Sequence, residues 1–341
     1  ARLLRGDAGG LNILAGDAAL LRGTKYILTL DADTRLLPGS ARELIGAMLH
    51  PMNAPVFDKN RVVVSGHGLI HPRMDVELPS AVKTPFSRVM AGSGGTDPYG
   101  ASCGEVWMDL TDRGGFAGKG ILDVDALLRG CSDLPENLIL SHDAIEGAIL
   151  RGGYMSDTEL TDGFPSNPGA YFRRQHRWVR GDWQNIGFIF RRGRNFAFAD
   201  RWKLFDSLRR SLCAPFCLAA LIWALAVPAA AALCAGLLAL LSLCTGVLPA
   251  LGTALLRRDR ERLHSATPNG LTGRLLQILL RLALLPWEAF VSLSAIWLAL
   301  WRMAISKRNL LAWQTAAQSE GRARKWLEPW PVAVTGLALL I

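Results

Sequence analysis

The feature that most constrains this chain is the stretch 212–256, which is rich in leucine and alanine and contains no charged residue. A helix needs about 20 consecutive apolar residues to cross the hydrocarbon core of a bilayer. The stretch is about twice as long as one such helix and is interrupted by Pro228. It therefore predicts two membrane-spanning helices, over about 212–232 and 234–256, within a membrane region 211–257. A buried helical hairpin is the alternative, but the cores of globular domains rarely run so far without a polar residue.

The part before this stretch has the composition of a soluble α/β domain, because residues 1–210 mix charged, apolar, glycine and proline positions. The net charge of +9 is unevenly placed, with basic residues next to apolar segments in 201–210 and 257–262. Cytoplasmic loops beside anionic lipid have this pattern. We therefore predict that the domain is cytoplasmic and that its basic residues face membrane lipid. No nucleic acid is expected as a partner, since no nucleic-acid-binding motif accompanies the charge.

The part after the stretch is harder to place. The segment 275–301 is long enough to cross a bilayer but contains Arg281, Pro286 and Glu288. If it crossed, the basic residues after it would lie outside, against the positive-inside tendency. We therefore predict a cytoplasmic loop and interfacial amphipathic helices over 258–330, and the start of a further membrane-spanning helix over 331–341. Because the chain begins without Met and ends in an apolar run, we expect a fragment of a longer protein.

Two carboxylates follow a predicted buried strand in the soluble part. Residues 25–30 are rich in β-formers and end at Asp31-Ala32-Asp33-Thr34. Side chains two apart on an extended chain point the same way, so Asp31 and Asp33 could share a divalent cation that clamps a diphosphate. Two turn-forming aspartates are the plainer alternative. A phosphatase of the haloacid-dehalogenase type is another, although such enzymes have Thr or Val where this chain has Arg35.

A glycine-rich segment lies further along the chain, at 114–120, and contains Phe116 and Lys119. Its glycines would allow the backbone to approach a ligand closely. It is not a Walker A loop, because Lys119 is followed by Gly120 rather than by Ser or Thr. A flexible turn without a ligand remains the alternative.

A third segment places an aspartate at the start of a predicted helix. The strand-like run 138–140 leads into Ser141-His142-Asp143 and an amphipathic pattern. Ser141 or Asp143 could simply cap the helix. Asp143 could instead act as a general base on an acceptor hydroxyl.

The most specific cluster is 173–184, which contains four arginines and two tryptophans. On a helix, Arg174 and Arg177 share a face, with Trp178 close by. Arginines can bind a diphosphate leaving group, and an indole ring suits stacking on a sugar. A basic interfacial helix is the alternative.

The order of these segments resembles the processive family-2-type membrane glycosyltransferases, the cellulose, chitin and hyaluronan synthases. Those enzymes carry a D-x-D motif, a glycine-rich acceptor-side loop, a T-E-D-type aspartate and a (Q/R)-x-x-R-W motif before membrane helices. The amino-acid sequences of these motifs are more similar still to the glycosyltransferase domain of cyclic β-1,2-glucan synthases. The phrases that carry this similarity are Thr29-Leu30-Asp31-Ala32-Asp33-Thr34, Phe116-Ala117-Gly118-Lys119-Gly120, Leu140-Ser141-His142-Asp143, His176-Arg177-Trp178-Val179-Arg180-Gly181-Asp182-Trp183-Gln184 and Asn309-Leu310-Leu311-Ala312-Trp313-Gln314.

The resemblance implies an α/β GT-A-like fold with a partial Rossmann-type sheet over 1–210, followed by transmembrane and interfacial helices. It implies UDP-glucose as donor, a growing β-1,2-glucan as acceptor, and Mg²⁺ or Mn²⁺ held by Asp31 and Asp33. Asp143 would be the catalytic base of an inverting transfer at the cytoplasmic face of a bacterial-type inner membrane. Arg174 and Arg177 would bind the donor diphosphate. The acceptor-binding residues would be Trp178, Phe116, Gly118, Lys119 and Gly120.

Two departures from the family pattern accompany the resemblance. Nothing before Asp31 matches the earlier aspartate that contacts uracil, so we expect the amino-terminal part of the domain to be missing. The phosphorylase-like region of the cyclic synthases has no counterpart in these residues, and we expect weak or no transferase activity from the chain alone. A linear polysaccharide synthase of the cellulose or chitin type and a non-catalytic transferase-like membrane scaffold are the competing interpretations.

Overall fold

The computed structural model describes residues 2–6, 14–91, 100–101, 104–135, 138–190, 196–244 and 271–312. The chain divides into two compact units. The first comprises 1–75, 95–162 and 185–205, and the second comprises 76–94, 163–184 and 206–341. This division differs from the predicted domain 1–210, because 76–94 and 163–184 group with the later helices.

The strands of the described residues are β1 (Tyr26–Thr29), β2 (Thr34–Leu36), β3 (Val56–Phe57), β4 (Val63–Ser65), β5 (Leu69–Val76), β6 (Gly100–Ala101), β7 (Gly104–Glu105), β8 (Gly120–Asp123) and β9 (Gly153–Asp162). The α-helices are α1 (Ser40–Leu49), α2 (Leu78–Ala81), α3 (Pro85–Met90), α4 (Val106–Thr111), α5 (Val124–Cys131), α6 (Asp143–Leu150), α7 (Pro168–Gln184), α8 (Ile186–Phe190), α9 (Phe198–Ala226), α10 (Ala230–Leu243) and α11 (Leu271–Trp301). Short 3₁₀ turns lie at Arg2–Arg5, Ala18–Leu21 and Pro51–Asn53, and a π-helical turn, Arg302–Ser306, follows α11.

Five strands form the main sheet in the order β1-β8-β5-β9-β2. The strand predicted over 25–30 is confirmed as β1. β8 pairs antiparallel with β1 and with β5, and β2 pairs antiparallel with β9. These pairings differ from the parallel neighbours of a Rossmann-type sheet. The reason is physical: a run of apolar β-formers indicates that a segment is a strand but not which way it runs beside its neighbour.

Alternate residues of the central strands face two layers of helices. Leu69 of β5 lies opposite Leu122 of β8, and both are buried against α5 and α6. The next pair, Ile70 and Ile121, is buried against α1. Because successive side chains of a strand point to opposite faces, helices cover the sheet on both sides. The combination of a sheet and helices predicted for this part of the chain is confirmed, and the GT-A-like arrangement stays a prediction.

One predicted strand is wrong. Residues 138–140 form a turn and a bend instead of a strand. Ile139 is buried in the core of the first unit, so the apolar character of this run serves packing without a strand partner. The chain then enters α6 at Asp143.

The second unit is built around α11 and α7. Phe172 of α7 packs against Leu284 and Val291 of α11. The Gln277 side-chain amide, also on α11, donates to the main-chain carbonyls of Val89 and Met90. The segment 275–301 lies within one helix, α11, which continues through Pro286. Its position in the membrane interface stays a prediction.

Within the part of the chain that the structure describes, two helical segments, Phe198–Ala226 and Gly273–Ser306, are long and apolar enough to cross a membrane, judged by length and composition. The helix Phe198–Ala226, which is α9, begins before the predicted position 212. Its initial turns carry residues such as Leu204 that are buried in the core of the first unit. A break around Pro228 separates it from α10, which has 14 residues. The parts of the predicted membrane and interfacial regions that lie outside the described residues are 245–270 and 313–341.

Candidate active site

The antiparallel pairing of β1 with β8 brings the D-x-D turn and the glycine-rich segment to one end of these two strands. Thr29, at the carboxyl end of β1, lies opposite Gly120, at the amino end of β8, and the Thr29 hydroxyl donates to the Gly120 carbonyl over 3.2 Å. Asp31 and Lys119, which flank this pair, are therefore neighbours. Their side chains form an ion pair with 3.0 Å between Lys119 Nζ and Asp31 Oδ2.

Asp31 and Asp33 lie in a tight turn rather than on the extended chain that the sequence suggested. The Thr34 amide donates to the Asp31 carbonyl over 3.1 Å, which closes the turn before β2 begins. Both aspartates are exposed. The Asp31 carboxylate is directed to Lys119, while its outer surface stays open, with 54% of the side chain exposed.

Lys119 is buried between two carboxylates. Its Nζ lies 2.8 Å from Asp162 Oδ2 as well as 3.0 Å from Asp31. Burial by itself lowers the pKa of Lys119, but attraction to Asp162 and Asp31 outweighs it and leaves the pKa above its ordinary value. Lys119 thus pairs with both carboxylates at the end of the sheet that carries the D-x-D turn. Its predicted contact with the acceptor stays a prediction.

Asp143 stands at the start of α6, close to the glycine-rich segment. The Ser141 hydroxyl donates to Asp143 Oδ2 over 3.0 Å. Gly118 has a positive φ of +80°, and a Cβ built there would lie 2.9 Å from the same oxygen. Only glycine lets the backbone pass so near the carboxylate in this conformation. The position before α6 is His142, which makes no side-chain capping hydrogen bond, so neither Ser141 nor Asp143 acts as the simple helix cap considered above.

The surroundings of Asp143 favour its carboxylate as a proton acceptor. Burial raises the pKa of the Asp143 carboxyl above its ordinary value; the Ser141 hydrogen bond and Lys119 lower it, and the Asp31 charge raises it further. Glu146, one turn along α6, has its pKa raised to about 7 by burial and by the Asp143 charge. A carboxylate with a raised pKa is a stronger base at neutral pH than an ordinary aspartate.

The other predicted acceptor residues of this segment are partly explained by packing. Phe116 packs against the core of the first unit and meets the His71 ring edge-on, with 6.5 Å between centroids. A Cβ at Gly120 would come within 2.4 Å of the Ile70 carbonyl oxygen, so the close approach of β5 to β8 requires glycine there. Their contact with a sugar stays a prediction.

The chemistry of the D-x-D turn fits a divalent cation. Among the described residues, no three His, Cys, Asp or Glu side chains are grouped to bind a metal, so protein atoms alone do not complete a coordination sphere here. Mg²⁺ commonly uses one or two carboxylates together with substrate phosphates and water. An open Asp31 carboxylate, with Asp33 in the same turn and Asp143 near enough to feel its charge, matches that ligand type.

The arginine–tryptophan cluster lies on α7, in the second unit, as a helix was predicted to carry it. The Arg174 guanidinium lies over the Trp178 ring at 4.8 Å and over Phe164 at 5.3 Å. Trp178 is 42% exposed, so part of its ring remains open to a ligand. Arg180, which was not singled out in the sequence, is buried and donates to the carbonyls of Leu310 and Ala312.

Sequence reasoning missed Asp162 and Glu146, the two acidic side chains that complete the cluster in the first unit. Asp162 ends β9 just before the phrase Gly163-Phe164-Pro165, and no motif marks it. Glu146 follows Asp143 by three residues, and that spacing on a helix was the one available signal.

Comparison with known proteins tests the resemblance directly. No protein-family model matches the chain. The chain is similar to the cyclic beta-(1,2)-glucan synthase NdvB of Rhizobium meliloti (strain 1021), with 34% identity over 331 residues, or 93% of this chain. The chain is therefore similar to a part of one cyclic β-1,2-glucan synthase.

The relationship to this glucan synthase covers a limited part of that protein. The chain spans 11% of the length of the Rhizobium synthase. Since the match includes 93% of the chain, residues of both compact units take part in it. The predicted resemblance to a cyclic β-1,2-glucan synthase is confirmed.

Proposed function

We propose that this chain is the glycosyltransferase part of a membrane-bound β-1,2-glucan synthase, with a GT-A-like catalytic unit. It transfers glucose from UDP-glucose to a growing glucan at the cytoplasmic face of the membrane. The observation that carries the proposal is the Asp143 carboxylate: it is held by Ser141, approached by the Gly118 backbone, and lies in one cluster with Asp31 and Lys119. The relationship to a cyclic glucan synthase supports glucose as the sugar and β-1,2 as the linkage.

In the proposed reaction Asp143 is the general base. The acceptor 2-hydroxyl gives its proton to the Asp143 carboxylate, and the acceptor oxygen bonds to C1 of glucose from the face opposite UDP. The C1–oxygen bond to the diphosphate breaks, and UDP leaves with that electron pair. The raised pKa of Asp143 suits this role, because a base is most effective when its pKa approaches the working pH.

Asp31 and Asp33 would hold Mg²⁺ or Mn²⁺, which when bound neutralises the negative charge of the diphosphate. Asp31 is open on one side, as such a ligand must be. On α7, Arg174 and Arg177 would bind the diphosphate through charge-assisted hydrogen bonds, and the exposed part of the Trp178 ring would stack on the acceptor sugar. Cation–π contact with Arg174 keeps the Trp178 ring in place.

The test is to incubate membranes containing the intact protein with labelled UDP-glucose and Mg²⁺, and to analyse the linkage of the product. We expect β-1,2-linked glucan. Asp143→Asn should reduce turnover by about 10²–10⁴-fold, the usual contribution of a general base, and should leave UDP-glucose binding unchanged. The control is Asp157→Asn, which makes the same chemical change at an exposed position of β9.

Three outcomes would contradict the proposal in different ways. If the Asp143→Asn variant still synthesises glucan, Asp143 is not the general base. A β-1,4-linked product identifies a linear polysaccharide synthase. Absence of both UDP-glucose binding and turnover in the unsubstituted protein supports a non-catalytic scaffold.

A further inference from the structure

Asp162 carries a buried carboxylate that is connected to the D-x-D turn through hydrogen bonds of Thr34. In the β2–β9 ladder, Asp162 lies directly opposite Thr34. The Thr34 hydroxyl donates to Asp162 Oδ1 over 2.6 Å and accepts from the Asp31 main-chain amide over 3.3 Å. One hydroxyl therefore connects Asp162 to the backbone of Asp31.

Lys119 makes the second connection, to the side chain of Asp31. Its ammonium lies 2.8 Å from Asp162 Oδ2 and 3.0 Å from Asp31 Oδ2. Lys119 is itself fixed, because its carbonyl oxygen lies 3.2 Å from Nδ1 of His71, a buried residue of β5. The two oxygens of Asp162 thus act on the backbone and on the carboxylate of the same residue.

The three charged groups differ in their access to solvent. The side chains of Lys119 and Asp162 are 10% and 6% exposed, whereas that of Asp31 is 54% exposed. Lys119 and Asp162 form a buried pair, and Asp31 is the member whose carboxylate is open to a ligand from solution. A buried ion pair adds little stability compared with apolar packing, so stability alone is a weak reason for this arrangement.

We infer that Asp162 is a positioning residue that, through Thr34 and Lys119, presents the Asp31 carboxylate to the divalent cation. This inference rests on the proposed function, which assigns the cation to Asp31 and Asp33. Partners behind a metal-binding carboxylate orient it and tune its affinity. Asp162 also holds the Lys119 ammonium, which would otherwise pair with Asp31 alone and compete with the cation.

The charges predict whether substitution of Asp162 strengthens or weakens cation binding. Asp162→Asn removes one negative charge near the turn and, of the two carboxylates that the described residues place on Lys119, leaves Asp31. Both changes weaken cation binding. Thr34→Val changes no charge but removes the hydroxyl between Asp162 and the Asp31 amide, so it tests orientation separately from electrostatics.

The experiment measures the Kd of Mn²⁺ for the intact protein in detergent, in the presence of saturating UDP, by following the EPR signal of free Mn²⁺. We expect Asp162→Asn and Thr34→Val each to raise this Kd by about 10- to 100-fold, the usual effect of losing such a partner. Thr34→Ser, which keeps the hydroxyl, and Asp157→Asn, on the exposed side of β9, should bind Mn²⁺ as the unsubstituted protein does. The thermal unfolding midpoint of each variant shows whether it is folded.

The outcomes separate this inference from the proposed function. If the unsubstituted protein binds no Mn²⁺ with UDP present, the proposed cation site and the inference are both wrong. If it binds Mn²⁺ and folded Asp162→Asn and Thr34→Val bind equally well, only the inference is wrong. Should Asp162→Asn fail to fold, Thr34→Val decides, because it removes a single hydroxyl and leaves the Lys119–Asp162 pair in place.

Discussion

At the scale of single residues, the pKa of the Asp143 carboxyl depends on a hydrogen bond from Ser141. The Ser141 hydroxyl donates to Asp143 over 3.0 Å and lowers the pKa that burial raises. In the proposed reaction the Asp143 carboxylate must be ionised to accept the proton, so activity should fall as the pH drops through its pKa. Ser141→Ala removes a bond to the charged form, raises that pKa, and should move the acid limb of kcat/KM to higher pH by up to about one unit.

The measurement for Ser141→Ala is a kcat/KM profile against pH with UDP-glucose as the varied substrate. Ser132→Ala, at an exposed position after α5, is the matched control and should leave the profile in place. An acid limb that moves to lower pH, or stays where it is, would contradict the part assigned to the Ser141 hydrogen bond.

The residues of the site were predictable to different degrees. Asp31, Asp143, Arg174 and Trp178 belong to short phrases whose spacing reflects their chemistry, and the sequence pointed to them. Asp162 was not predictable, because its role comes from lying opposite Thr34 across a ladder between distant segments. The same holds for Lys119: its residue type was noticed, but its two carboxylate partners come from β9 and from the turn after β1.

At the scale of elements, the first turns of α9 hold the start of the glycine-rich segment. Lys203 Nζ donates to the carbonyls of Arg113 and Gly114, at 2.7 and 2.9 Å. The Arg113 guanidinium in turn donates to Asp200, which is buried on the same helix. The helix that carries a candidate membrane span therefore also fixes the backbone that leads to Gly118.

Lys203→Met tests this anchoring, because Met keeps much of the apolar stem and loses the ammonium. Two carbonyl oxygens lose a charged donor, and the buried Asp200 carboxylate loses one of its cationic partners. The loss should cost about 2–4 kcal/mol of unfolding free energy and make 113–119 more sensitive to limited proteolysis. Lys59→Met, at an exposed turn, should change neither property. An unchanged unfolding midpoint together with an unchanged cleavage pattern would show that Lys203 does not hold the segment.

The elements themselves were predicted unevenly, for physical reasons. Local patterns predicted three of the elements. A run of β-formers predicted β1, a cluster of glycines predicted the loop before β8, and the helical spacing of arginines predicted α7. Strand direction does not follow from such patterns, because antiparallel pairing of β8 with β1 is decided by contacts between segments about 90 residues apart. The wrong strand at 138–140 has a related cause, since Ile139 is apolar to fill the core rather than to join a sheet.

At the scale of the whole molecule, large apolar side chains remain uncovered on the helices that could cross a membrane. Phe216, Ile222 and Leu225 on α9 and Phe290 and Trp297 on α11 are all more than half exposed. In water, contiguous patches of this kind are unfavourable, and they mark surfaces that contact a partner or a membrane. A bilayer is the covering that their position on long apolar helices favours.

Cysteine labelling tests this placement and the proposed orientation together. In a background lacking the native cysteines, Ile222→Cys reports on α9 and Ser132→Cys on the surface of the first unit, where Ser132 is exposed. A membrane-impermeant maleimide should label Ser132→Cys in inside-out vesicles and not in right-side-out ones. It should label Ile222→Cys in neither, because lipid excludes the charged reagent, and should label both after the protein is unfolded in SDS and urea. Labelling of Ile222→Cys in intact vesicles would mean that α9 is not in the bilayer, whereas labelling of Ser132→Cys from the outer side would reverse the proposed orientation.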